Sequence, residues 1–395
     1  VTPDLATPVD LPPAAPLPWG ARAKAFFTSF PFILWVATRL AYVGMSWMGL
    51  TAVNTLWFHD EDRHRVLQPY TWIDGLCRWD CGWFHLVAVN GYANVEYAKV
   101  FPLFGVVGGV VERFTGINHL VVFILIANAA TLGAFMVIYE LFKELEGDDA
   151  ARFGLLAFCA FPFAYYNAAG YPESLMVFTT AWSIALARKK KHLQGGLALT
   201  LGFAARHLTL AGGAGILAAQ IRQRGLHPKK FLLSPAILGL LFPWLFLAGF
   251  SWYLGEKFGD PLAWWHSRTI GWNDWVWYGA RQVILYVPYR DRPEYFYYLI
   301  FSIPVLIGAA GLAWQLKKKR WEYTEIAAFG LVLTAVVMSS GAAGMGRYLA
   351  SIWPVFLPIG VWLSKRPIWQ GPILGFLFLF QGLWFFLFSH QWRVL

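Results

Sequence analysis

The chain has 395 residues, 58% of them hydrophobic and 14% charged, with a mean hydropathy of +0.49. Soluble domains carry roughly 25% charged residues, so a water-soluble globule is excluded and a polytopic membrane protein is indicated. The net charge of +10 does not point to nucleic acid, because the basic residues sit in short clusters between apolar runs, as membrane orientation requires.

Residues 1–20 hold six prolines and no apolar segment long enough for a signal peptide. Residues 1–25 are therefore expected to form a disordered, Pro-rich cytoplasmic arm, followed by a single membrane domain over 26–395. A bilayer core takes about 20 apolar residues as helix, and only helices or closed barrels satisfy the backbone there. Long apolar runs without period-2 alternation choose helices, so the expected fold class is an all-α bundle. The first helix is expected over 26–50, and the charged, aromatic section 51–117 is an external loop. A second helix over 118–142 leads into a charged turn from Lys143 to Arg152. Residues 153–187 are interrupted at Asn167, Gly170, Pro172 and Glu173, and 193–221 at Arg206 and His207; each stretch predicts two short helices. Helices follow at 231–254, 294–316, 323–341, 346–363 and 368–390, with a second external loop over 255–293. This makes about eleven crossings, the short pairs either spanning or re-entrant.

With the amino terminus in the cytoplasm, Arg22 and Lys24, Lys143 to Arg152, Arg188 to Lys191, Arg222 to Lys230, Lys317 to Arg320, and Lys365 with Arg366 all fall on the cytoplasmic side. The same count gathers both external loops, Pro172-Glu173, Arg206-His207 and Arg347 at the opposite face. Charged groups in or under a bilayer are costly and point to function. Asp80 lies in Arg78-Trp79-Asp80-Cys81-Gly82-Trp83-Phe84-His85, ahead of an interfacial helix over 80–90. It can serve as a general base, or as a helix cap, which Asp does well. Arg78, Trp83 and His85 flank it as candidate substrate contacts. Glu173 opens a helix, where the dipole favours an acid. Arg206 and Arg347 interrupt apolar stretches and call for an anion, a carboxylate or a phosphate.

The tryptophans 252, 264, 265, 272, 275 and 277 read as an interfacial aromatic belt, although indole rings also stack on sugars. Asp260-Pro261 reads as a helix start, from which His266 and Arg268 could face the site. Asp60, Glu61 and Asp62 read as solvated loop. Three cysteines make no disulfide framework. Cys77, Cys81 and His85 share a helical spacing, but a closed zinc site takes four ligands and no fourth stands nearby, so no metal is expected.

Asp80 with its neighbours, through Asn90-Gly91-Tyr92, resembles the Trp-Asp…Phe/Tyr…Gly-Tyr signature of the PIG-V family of mannosyltransferases. Phe101-Pro102-Leu103 is similar to the segment that follows that signature. Tyr171-Pro172-Glu173-Ser174-Leu175 is similar to the family's Tyr-Ser-Glu-Ser-Leu, with Pro172 in place of Ser. Phe203-Ala204-Ala205-Arg206 resembles its Ala…Thr-Arg segment, with His207-Leu208 after the arginine. Gly259-Asp260-Pro261-Leu262-Ala263 and Arg347-Tyr348-Leu349 resemble bacterial members; together these segments touch most of the membrane region in order, and the amino-terminal arm lies outside the likeness. The resemblance implies a GT-C-like fold in a bacterial cytoplasmic membrane and a polyprenyl-phosphate sugar donor, usually mannose. It also implies inverting transfer without a metal or cofactor, with the acid of the first external loop, here Asp80, as catalyst.

An in-line displacement at a sugar carbon needs a carboxylate to take the acceptor's proton and cations to hold the departing phosphate. Asp80 suits the first task, Arg206 and Arg347 the second, while Glu173 orients a hydroxyl or pairs with an arginine. Membrane lipid lies around the donor's tail, and the acceptor is not specified. Two other readings stand: a non-catalytic, transferase-like subunit with a membrane-protein partner, and a secondary transporter, which also uses broken helices.

Overall fold

The computed structural model describes residues 18–52, 71–225, 236–272, 296–339 and 344–390. The acidic run Asp60–Asp62 and the aromatic residues Trp275, Trp277, Tyr278, Tyr286 and Tyr289 lie outside them, as does the expected arm up to residue 17. Every regular element among the described residues is helical: α1 (Trp19–Phe27), α2 (Phe30–Ala52), α3 (Thr71–Asp74), α4 (Cys81–Asn90), α5 (Pro102–Thr115), α6 (His119–Ala160), α7 (Glu173–Arg188) and α8 (His192–Ala205). These are followed by α9 (Gly212–Arg224), α10 (Ala236–Phe258), α11 (Ala263–Trp272), α12 (Phe296–Lys317), α13 (Thr324–Ser339), α14 (Met345–Leu349), α15 (Phe356–Ser364) and α16 (Pro367–Ser389). Among the described residues, six helical segments are long and apolar enough to cross a membrane: Phe30–Thr51, His119–Ala160, Ile237–Phe258, Ile300–Lys317, Trp321–Ser339 and Pro367–Ser389.

Three expectations need correcting. The end of the supposed disordered arm is helical, forming α1, whose Trp19 and Phe27 are exposed. The charged turn over 143–152 narrows to one residue, Gly147, at φ 81° within α6. Glycine reaches that conformation without a Cβ clash, and the two arms fold back so that the Phe135 and Phe158 rings meet at 6.2 Å. The expected helix over 346–363 is two pieces, α14 and α15, joined by a 3₁₀ turn at Trp353–Val355. Pro354 disfavours helical geometry at the residue before it.

Close helix contacts rest on small residues, as membrane helices allow. A Cβ on Gly196 of α8 would lie 2.1 Å from the Gly239 carbonyl oxygen of α10, and one on Gly360 of α15 would lie 2.3 Å from Gly154 N of α6. At one end of α7, Arg188 binds Glu144 at 2.6 Å and Glu325 at 2.9 Å, and Arg222 binds the same Glu325 at 2.6 Å. The other end, opening at Glu173, lies about 22 Å away at the helical rise. Between α6 and α7 the backbone is irregular, and side chains from the bundle satisfy its carbonyls. Arg39 donates to Asn167 O at 3.1 Å, Asn128 to Ala168 O at 2.9 Å and Gln381 to Phe161 O at 2.8 Å. Non-helical backbone survives at membrane depth only with such partners.

Candidate active site

Four segments far apart in sequence deliver one charge cluster. Asp80 sits between α3 and α4, Glu173 opens α7, Arg206 ends α8, and Arg347 lies in α14. Arg347 Nη1 donates to Asp80 Oδ2 at 2.6 Å. Its Nε stands 3.1 Å from Glu173 Oε1, and Arg206 Nη2 stands 3.2 Å from the same oxygen. These last two are ion-pair contacts without hydrogen-bond geometry, so neither Glu173 oxygen receives a hydrogen bond although the residue is wholly buried. Tyr348, Tyr171 and Tyr166 surround the Arg347 guanidinium at 5.1, 5.6 and 6.0 Å, and Tyr348 also lies 5.0 Å beneath Arg206.

The cap reading of Asp80 and that of Glu173 can now be compared with geometry. Asp80 occupies the position before α4, but with helical backbone angles (φ −62°, ψ −13°) and no side-chain bond to the helix. A capping residue is normally extended there; this carboxylate turns to Arg347 instead. Glu173 likewise spends its carboxylate on the two arginines.

The cluster borders a cleft of about 360 Å³, counting space open to solvent. Asp80, Lys99, Arg206, His207 and Tyr348 form its polar lining, while Phe84, Val100, Phe101 and Ala205 form the apolar part. Lys99 was missed in the sequence, although a lone lysine just ahead of Phe101-Pro102-Leu103 was a visible signal. It is 4% exposed, and its ammonium lies 3.4 Å over the Trp83 ring. Burial pushes the Lys99 amine below the usual lysine range, with nearby Glu96 and Asp80 opposing that shift. Trp83 thus meets the cleft through Lys99. His207 Nε2 faces Arg268 Nη1 at 2.6 Å. Burial, then the charges of Arg268, Arg206 and Arg347, hold the His207 ring well below the ordinary imidazole value, so it is neutral. Lys99 and Arg206 thus line the cleft beside Asp80, and two cations there suit an anionic ligand.

Three of the flanking candidates serve elsewhere. Arg78 is buried and donates to Asp74 at 2.6 Å and to Ser389 O at 2.9 Å, so it ties α3 to the end of α16 rather than meeting the cleft. A buried guanidinium needs such a carboxylate, and Asp74 stands one turn away. His85 meets His119 at 2.6 Å, which in turn meets Glu112 at 2.5 Å, on the α5–α6 side of α4. His266 is exposed and pairs with Asp260 at 2.8 Å, while Asp260 caps the turn before α11 through Leu262 N; Arg268 takes the inward place instead. Cys77 and Cys81 form a disulfide, against the expectation of none, because the chain turns between α3 and α4 instead of continuing as a helix. That removes both thiols as metal ligands. Among the described residues no group of three or more His, Cys, Asp or Glu side chains is placed to hold a metal ion. Compared with protein families and with curated proteins, the chain matches none.

Proposed function

We propose that the protein transfers a sugar, mannose by the family resemblance, from a polyprenyl-phosphate donor to an acceptor hydroxyl on the non-cytoplasmic side of the membrane, with inversion. The carrying observation is the convergence of Asp80, Glu173, Arg206 and Arg347 beside one cleft. Asp80 takes the acceptor's proton as its oxygen attacks the anomeric carbon, and the bond from that carbon to the phosphate oxygen breaks. Arg206 and Lys99 neutralise the departing phosphate. Glu173, wholly buried, holds the Arg206 and Arg347 guanidiniums in place beside the cleft. In this reading the bundle is GT-C-like, with about eleven crossings when the short helices α7, α8, α9 and their neighbours are counted. The Cys77–Cys81 disulfide supports the orientation, because such bonds persist in oxidising compartments.

A second reading rests on the same contacts: the Asp80–Arg347 pair is that of a structural cluster in a non-catalytic subunit. Substituting Asp80→Asn keeps the side chain's shape and removes its basicity. Loss of at least about 100-fold in transfer from a polyprenyl-phosphate sugar, with unchanged membrane assembly, is expected for a general base. Transfer by Asp80→Asn at the wild-type rate would overturn the role of Asp80. A folded wild-type protein that transfers no lipid-linked sugar favours the subunit.

A further inference from the structure

The disulfide between Cys77 and Cys81 closes a loop whose last residue before Cys81 is Asp80. Within that loop Trp79 is left-handed, at φ 53°, a conformation that side chains other than glycine adopt only where the surroundings impose it. Its neighbours supply the constraint. Gly170 N donates to Leu76 O at 2.8 Å, and Tyr171 Oη donates to Arg78 O at 2.7 Å. The disulfide itself rests on Gly170, where an added Cβ would stand 3.1 Å from Cys81 Sγ. Residues 170 and 171 lead directly into Pro172 and Glu173. The covalent bond thus sits between the two backbones that carry the acids facing Arg347.

We propose that the Cys77–Cys81 disulfide is a positioning clamp: it fixes the Asp80 carboxylate against Arg347 and seats the Asp80 loop on the segment that presents Glu173. The catalytic half of this statement rests on Asp80 being the base; the positional half does not. Both cysteines are buried, Cys77 3% and Cys81 1% exposed. Thiol exchange needs access to a sulfur, so the bond is a permanent staple rather than a switch. The six long apolar helices lie outside the clamped loop, and removing the bond should loosen the site without dissolving the bundle.

The test is the full-length Cys77→Ser/Cys81→Ser protein in detergent, with Cys77→Ala/Cys81→Ala as a second pair should the first fail to assemble. Amide exchange over residues 76–84 and 168–173 is expected to rise about tenfold or more, with that over 180–188 unchanged. The kcat for transfer is expected to fall by up to about 100-fold with little change in KM, as a displaced catalytic group produces. Unchanged exchange at 76–84 overturns the clamp, whatever the activity. Raised exchange with an unchanged kcat leaves a staple that does not position Asp80, and also overturns it. If the wild-type protein transfers no sugar, the transfer reading fails, and the exchange data alone decide the clamp.

Discussion

Arg347 touches both acids of the cluster. Removing one partner of a buried ionic group strands the others, at a cost of about 3–5 kcal/mol. Arg347→Met should therefore lower the thermal midpoint of the purified protein sharply. Adding Asp80→Asn to that variant should restore much of the loss, because Glu173 keeps Arg206 as its partner and no carboxylate is then stranded; failure to recover would mean the arginine acts through packing alone. His207 makes a second residue-scale prediction. Its folded-state pKa lies below the ordinary value, so the unfolded chain binds the extra proton first, from about pH 6.5 downward. Stability is then full above that pH and declines as pH falls through it. Melting followed from pH 7.5 to 5.5 should show that slope, and His207→Gln should flatten it, leaving a remainder from other histidines shielded from water, His85 among them, whose pKa is also lowered by burial. An unchanged slope would remove His207 as its source.

Elements meet where they are narrow. The α8–α10 contact depends on Gly196 lying against Gly239, and the cost of forcing in a branched side chain is about 1–3 kcal/mol. Gly196→Val should lower the thermal midpoint, and Gly213→Val on α9, where a Cβ meets nothing nearer than 3.8 Å, should cost much less. Equal losses would argue that helix propensity, not approach, decides. The breaks at this scale were legible where the chain carries its own stop signals. Asn167, Gly170, Pro172 and Glu173 interrupt one apolar run and Arg206-His207 another; the helix before the second break ends beside it, at Ala205, whereas the helix before the first ends earlier than read, at Ala160, just ahead of Pro162. The α14–α15 break was not read, since Ile352-Trp353-Pro354 lies within an unbroken apolar stretch. Its position follows from packing that brings the buried Trp353 ring to Phe142 and Phe329, at 5.9 and 5.8 Å.

Across the whole molecule the two ends of the bundle differ in chemistry. One end holds the Arg188–Glu325–Arg222 network, the other the cleft and the disulfide. If the basic end is cytoplasmic, a cysteine placed at exposed Lys318 should react with a membrane-impermeant thiol reagent only after permeabilisation. One at exposed Ala93 should react from outside in intact cells. The reverse labelling pattern would put the cleft in the cytoplasm and remove the lipid-linked donor as its natural substrate.

What the amino-acid sequence determined by itself was everything that depends on local composition. Apolar length dictated helices, proline, glycine and charge marked their interruptions, and the energetic cost of a charge near lipid singled out Asp80, Glu173, Arg206 and Arg347. Tertiary structure alone decided which charges meet. Arg78 and His85 stand beside Asp80 in the chain yet bond to other partners, while Arg347, 267 positions away, reaches its carboxylate. The Cys77–Cys81 bond and the place of Lys99 over Trp83 were decided in the same way. Pairing energies fall steeply with distance, and distance across a bundle is fixed by how helices pack, which no local pattern records.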